Sequence, residues 1–211
     1  MEKQIKKELL TTMGYRHYNG WANERSDYGY HSFNLPGVNI TGQRNPSQRL
    51  EVFKKHYNFN NKVAVDIGCN VGGMLLHLPE LKQGIGFDYD DKCITAAKNI
   101  SDILGRKNTK FHTHDFNKTS ADLAFEKIDN VDVVFCLAIG KWIENVTDLY
   151  QRFLDMGADI FLELNHGKRN YNELQFFIDK GMKIQHIQKG SPDDITPENT
   201  KKRQTYFIKN A

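Results

Sequence analysis

Three carboxylates, each near the end of a short apolar run, are the residues of this chain best placed to do chemistry: Asp66, Asp88 and Asp115. The first stands in Val63-Ala64-Val65-Asp66-Ile67-Gly68-Cys69-Asn70-Val71-Gly72-Gly73, a buried-strand pattern that runs into a glycine-rich bend. The second closes Gly84-Ile85-Gly86-Phe87-Asp88, and the third closes Phe111-His112-Thr113-His114-Asp115. A strand, a bend that admits backbone amides and a helix N-terminus together form a cradle for a nucleotide-like ligand. Carboxylates around such a cradle accept hydrogen bonds from an ammonium, a sugar diol or an exocyclic amine. In the bend, Gly68 and Gly72 hold the outer positions and Asn70 the middle one. Asn tolerates left-handed backbone angles better than most residues. Tyr89 follows Asp88 and can pack on a planar base, while Phe116 follows Asp115 and offers its backbone amide.

A second group lies further along. The fourth apolar run leads into Leu137, Lys141 and Trp142, and the fifth into Glu163, Asn165, His166 and Lys168. In open α/β sheets ligands enter beyond the carboxyl ends of the strands, so these two ends are where a second substrate would sit. His166 is the best candidate for a general base there, with Glu163 next. Asn165, Lys168 and, near the N-terminus, His31 are further candidates for binding that substrate. His112 and His114 share one face of a strand without a third metal-ligating neighbour and read as packing or surface residues, so no metal site is expected.

The elements that must carry these residues follow from the pattern. Apolar runs at 62–67, 84–89, 109–114, 131–138 and 159–164 have the near-continuous hydrophobicity of strands buried on both faces. Helical patterns at 71–78, 91–104, 119–127, 142–156 and 171–180 alternate with them, which predicts a parallel sheet covered on both sides. Pro79 ends the first of these helices, and Asp90 or Asp91 caps the second. Two late strands, 182–188 and 203–209, flank the polar, turn-rich Gly190-Ser191-Pro192-Asp193-Asp194-Ile195-Thr196-Pro197 and form an antiparallel hairpin. Residues 1–60 stand outside this alternation. Ile5, Leu9, Leu10 and Met13 mark one stripe of an amphipathic helix, and an aromatic, glycine-interrupted stretch follows that can cap the cleft or pack on the sheet.

At 211 residues the chain accommodates one well-filled domain. A net charge of +3 is too small to argue for nucleic acid. The three cysteines, Cys69, Cys93 and Cys136, have neither disulfide nor zinc spacing. No apolar run reaches the roughly 20 residues of a membrane span, and the N-terminus lacks the apolar core of a secretory signal. A cytoplasmic location without membrane association is expected, and oligomeric state is silent.

Asp66-x-Gly68-x-x-x-Gly72 resembles motif I of the class I S-adenosylmethionine (SAM)-dependent methyltransferases, and the closing hairpin is also similar to the end of their seven-stranded sheet. That resemblance implies a Rossmann-like α/β fold over residues 61–211, with residues 1–60 as a helical or irregular cap. SAM is the implied cofactor and S-adenosylhomocysteine its product. In this pattern Asp66 orients the bend or meets the methionine ammonium, Asp88 accepts the ribose hydroxyls, and Asp115 with Phe116 faces the adenine. A nicotinamide dinucleotide fits less well: Asn70 replaces the second glycine of Gly-x-Gly-x-x-Gly, and Asp66 would stand beside the pyrophosphate.

A closer likeness covers three short patches. Asp66-Ile67-Gly68-Cys69-Asn70-Val71-Gly72, Cys136-Leu137-x-x-x-Lys141-Trp142 and Gly42-Gln43-Arg44-Asn45-Pro46 look like motifs of the RNA methylphosphate-capping (bicoid-interacting type) methyltransferases. The likeness implies that Leu137 lines the cofactor site, that Arg44 and Lys141 hold an anionic acceptor, and that Trp142 or Tyr30 walls its pocket. Because the chain lacks a strongly basic surface, a small phosphate-bearing acceptor is expected ahead of RNA. A SAM-binding subunit without turnover is the non-enzymatic alternative.

Overall fold

The computed structural model describes residues 1–12, 29–128, 130–165, 170–195 and 201–210. Its centre is a seven-stranded sheet. The parallel strands are β3 (Val63–Ile67), β4 (Gln83–Asp88), β5 (Thr109–Thr113), β6 (Val133–Leu137) and β7 (Asp159–Leu164), joined by antiparallel β8 (Lys183–Lys189) and β9 (Gln204–Lys209). Their spatial order is β5-β4-β3-β6-β7-β9-β8, so the strand order reverses between β3 and β6. This is the switch point at which open α/β sheets bind ligands. The five expected parallel strands and the terminal hairpin are all present, with boundaries moved by one or two residues. The fold is the α/β, Rossmann-like methyltransferase sheet that the sequence implied.

Two layers cover the sheet. On one face Val65, Ile67, Val134, Cys136, Leu162 and Leu164 pack with α5 (Ala121–Phe125), α6 (Val146–Asp155) and α7 (Asn170–Asp179). On the other, Ala64, Phe135, Phe161 and Phe207 meet α3 (Gly73–Leu76) and α4 (Asp91–Ile103) together with the N-terminal segment. That segment contributes α1 (Glu2–Thr12), a hairpin of β1 (Phe33–Leu35) and β2 (Val38–Ile40), and α2 (Pro46–Phe53). Phe53 of α2 stacks on Phe161 of β7 with ring centroids 4.2 Å apart. Ile5 and Leu9 of α1 are buried in the same cluster, so the described part of residues 1–60 has no core separate from the sheet's. Leu10, expected on the apolar stripe, is instead 53% exposed, and Thr12 takes the buried position.

The β1–β2 hairpin was not expected, although Pro36-Gly37 is a strong turn signal between its strands. Helix α2 begins where Asn45 caps it by accepting from the Gln48 amide, with Pro46 in the first turn. Asp90 caps α4 in the same way, through the Lys92 amide. Two expected helices are shorter than their patterns. The first runs only over 73–76, and the one expected from 142 divides into a 3-10 turn at Gly140–Trp142 and α6 from Val146. No helix among the described residues is long and apolar enough to cross a membrane.

Candidate functional site

The glycine-rich bend is built by backbone angles that few side chains permit. Gly68, Asn70 and Gly72 have φ of 71°, 51° and 75°, so three left-handed residues alternate through the bend. At Gly72 a Cβ would also lie 2.6 Å from the ring of Phe111, so this position admits only glycine. The amides of Gly68 and Cys69 donate to the Phe87 carbonyl at 2.8 and 2.9 Å, which ties the bend to the end of β4. Asp88, the last residue of β4, holds it from the other side: its carboxylate accepts from the Asn70 amide at 2.8 Å and the Asp90 amide at 3.0 Å. Burial pushes its carboxyl pKa up against the pull of these amides.

Asp66 is 3% exposed, and no described residue donates a hydrogen bond to its side chain. Burial, with Asp88 nearby, pushes its pKa well above the usual carboxylate range. A carboxylate so nearly buried is stabilised when a ligand donates to it. The residues therefore suit SAM: an ammonium meets the need of Asp66, while Asp88 presents a carboxylate at the strand end. Tyr89 beside it is 50% exposed. Asp115 lies two residues past β5; it caps its turn through the Asn117 amide at 3.0 Å and pairs with Lys118 at 3.1 Å. The amide lowers its pKa first, with Lys118 adding to the effect. Phe116 is half-buried against Phe87 and His114. Leu137 ends β6 opposite Glu163 of β7.

The N-terminal residues proposed for the acceptor take different places. Arg44 is 2% exposed, and its guanidinium meets Asp194 at 2.7 Å, Asp193 at 2.9 Å and Glu163 at 3.1 Å. Glu163 also takes Arg49 and Arg203 at 2.7 Å each and the Ser191 hydroxyl at 3.0 Å. Three arginines thus balance three acids in a buried cluster. It ties α2 and its lead-in to β7, to the β8–β9 connection and to β9. Arg44, expected to hold an acceptor anion, is instead committed to carboxylates, and Glu163, expected as the second candidate for a general base, is committed to three arginines. Sequence spacing could not show it, because Arg44 and Arg49 stand more than a hundred residues from their acids and Arg203 stands 40 from Glu163.

His31 is buried as well, and its Nδ1 accepts the Gly73 amide at 3.3 Å, at the start of α3. Its pKa is lowered to about 3, by burial first and then by the charge of Arg44 and the neighbouring His77. His31 therefore braces the start of α3, just after the glycine bend. His77, which sequence reasoning passed over, bonds the Gly73 carbonyl through Nδ1 at 2.6 Å and accepts the Asn34 amide through Nε2 at 3.3 Å. The Tyr30 ring lies 4.8 Å from that of His31, and its carbonyl accepts the Arg44 amide at 2.7 Å.

Lys141 and Trp142 do stand open at the carboxyl end of β6. The Lys141 ammonium lies 4.4 Å from the Trp142 ring centroid, and Trp142 is 55% exposed. Burial and the nearby Arg203 lower the Lys141 pKa. Asn165, at the end of β7, is buried, and its side-chain amide nitrogen has no partner. His166 and Lys168 lie outside the described residues.

Comparisons with known proteins agree with this geometry. A family described as a methyltransferase domain matches residues 58–159, the span from the start of the sheet to β7. A tRNA (guanine-N(7)-)-methyltransferase of Clostridium botulinum is 24% identical over 173 residues, covering 74% of this chain and 80% of that protein. Among solved structures, WbdD superposes with a TM-score of 0.66 at 17% identity, over 86% of this chain and 44% of that one. Precorrin 8W decarboxylase of Methanobacterium thermoautotrophicum superposes with a TM-score of 0.60 at 17% identity, over 85% and 97% of the two chains. EvdMO1, at a TM-score of 0.63 and 12% identity, is matched over only 44% of its length, so this chain spans less than half of EvdMO1 and of WbdD. Residues 58–159, just under half of the chain, thus form a methyltransferase domain, and S-adenosylmethionine is its cofactor.

Proposed function

We propose that this methyltransferase acts on an acceptor atom that already carries an available electron pair, in first place a phosphate oxygen of a small polar metabolite. The observation that carries the reading is the Lys141–Trp142 pair, an open cation beside an exposed indole at the carboxyl end of β6. Sugar phosphates, nucleotide-linked sugars and phosphoramidate precursors of surface polysaccharide have this chemistry. A phosphate oxygen is anionic near neutral pH and needs positioning by a cation, with no base to deprotonate it. That agrees with Glu163 being consumed by arginines.

In this reading SAM supplies an electrophilic methyl group. Gly68, Asn70 and Gly72 shape the bend around its methionine end, and Asp66 takes the ammonium. Asp88 accepts the ribose hydroxyls, Tyr89 packs on the adenine, and Asp115, Phe116 and Leu137 line the rest. Lys141 neutralises the acceptor, Trp142 walls it, and the Asn165 amide donates to it. Residues 61–211 supply these groups, and the segment from residue 1 to 60 braces them. Catalysis then comes mainly from holding the acceptor in line with the methyl group.

A second reading is RNA methylation, favoured by the name of the Clostridium relatives. Guanine N7 also carries a free electron pair, and an exposed Trp142 could stack on a purine. The test is transfer of labelled methyl from SAM to pools of sugar phosphates and nucleotides on one side and bulk tRNA on the other. Label in a small ester that resists phosphomonoesterase supports the first reading. Label recovered only as 7-methylguanine, with steep salt dependence, overturns it in favour of the second.

A further inference from the structure

Behind the turn that carries Lys141 and Trp142 lies a buried acid that neither the cofactor nor the acceptor requires. Glu173 of α7 is 5% exposed, and no cation among the described residues pairs with it. Its carboxylate accepts the hydroxyl of Tyr150 from α6, and that hydroxyl also meets the thiol of Cys136 at the end of β6. Burying a carboxylate without a counter-charge is costly, so its place in the fold calls for a reason.

The reason is visible at Gly140. A Cβ built there would overlap the Glu173 carboxyl group, with Oε1 only 2.7 Å away. The carboxyl therefore fills the space of a missing side chain, and the backbone just before Lys141 lies flat against it. The rest of the turn is held on other sides. Ala138 has a left-handed φ of 61° and donates its amide to the Glu163 carbonyl at 2.8 Å. Ile139 packs on Gly68. The Trp142 carbonyl accepts from the Asn117 side chain at 2.9 Å. Glu173 is the support that comes from the helical layer.

We propose that Glu173 is a positioning residue for the acceptor: pinned by Tyr150 against Gly140, it sets where Lys141 and Trp142 stand. The proposal rests on the acceptor reading above for its functional consequence, but the position of the turn can be read without it. The chain has two tryptophans, so a Trp21→Phe background leaves Trp142 as the sole reporter. In that background two quantities are measured, acrylamide quenching of Trp142 and its titration with inorganic phosphate, with SAM affinity followed by calorimetry.

Glu173→Ala should change the quenching constant about twofold and weaken phosphate binding about tenfold, the loss of one well-placed contact, with SAM affinity within about twofold of the parent. Glu173→Gln keeps the shape and the acceptor for Tyr150, and should restore both quantities. Unchanged quenching in Glu173→Ala overturns the proposal, and so does a Glu173→Gln protein that behaves like Glu173→Ala. Should the alanine variant not fold, Tyr150→Phe removes only the pin and should shift quenching in the same direction; no shift again overturns it. If the parent does not bind phosphate at all, the acceptor reading fails, while the quenching comparison still decides the role of Glu173.

Discussion

His31 provides a measurable link between the N-terminal segment and the cofactor bend. Its Nδ1 accepts the Gly73 amide, so the proton of the neutral ring sits on Nε2, and protonating Nδ1 would turn a donor against a donor. The native pKa of about 3 lies below the ordinary 6.5 expected of the unfolded chain. As pH falls below 6.5 the unfolded state takes up a proton that the native state refuses until about pH 3. Stability from this group is therefore full above 6.5 and is lost as pH falls through that window. Each pH unit in the window costs about 1.4 kcal/mol, so at pH 5 His31 alone costs about 2 kcal/mol. His31→Asn keeps an acceptor at the same distance along the side chain and removes the titration. Urea unfolding of both proteins, followed by circular dichroism between pH 7.5 and 5, should show the parent losing about 2 kcal/mol more than the variant over that range. Taking the difference cancels groups common to both, including the carboxylates of the arginine cluster. Parallel stability curves would refute the argument, because they would mean that the native ring protonates as readily as the unfolded one.

Further outcomes follow from the same geometry. Asp88→Asn should weaken SAM binding by about 10- to 100-fold, since a neutral amide replaces a carboxylate that accepts from the Asn70 and Asp90 amides and is proposed to accept from ribose; calorimetry with S-adenosylhomocysteine checks this. Lys141→Ala should raise the acceptor's Michaelis constant about tenfold with little change in SAM affinity, through loss of one charge-assisted contact; an unchanged constant in steady-state kinetics would count against an anionic acceptor. Glu163→Gln leaves three buried arginines facing two acids and should cost about 3–5 kcal/mol, which for a chain of this size lowers Tm by about 6–20 °C in calorimetry. A shift under 2 °C would show that the cluster relaxes around the loss.

Local patterning was enough to determine the sheet and the glycine-rich bend. Near-continuous Val/Ile/Phe/Leu runs bounded by Gly, Asp and Pro identify strands buried on both faces without knowledge of their neighbours. The bend is legible because Gly68, Asn70 and Gly72 are the residue types that left-handed backbone demands. Asp88 is legible because it closes a strand. These are properties of a residue and its immediate neighbours in the chain.

The fates of Arg44, Glu163, His31 and Glu173 depended on contacts that local patterning does not encode. Motif likeness puts Arg44 at an acceptor anion, but the fold brings Asp193 and Asp194, on the β8–β9 connection, against it. A glutamate at a strand end reads as a base until Arg44, Arg49 and Arg203 surround it. Charge neutralisation inside a fold is a pairing problem, and the pairs here join N-terminal residues to β7 and to the β8–β9 connection. Only the folded chain decides which charges are spent on each other and which, like Lys141, stand clear of an opposite charge among the described residues.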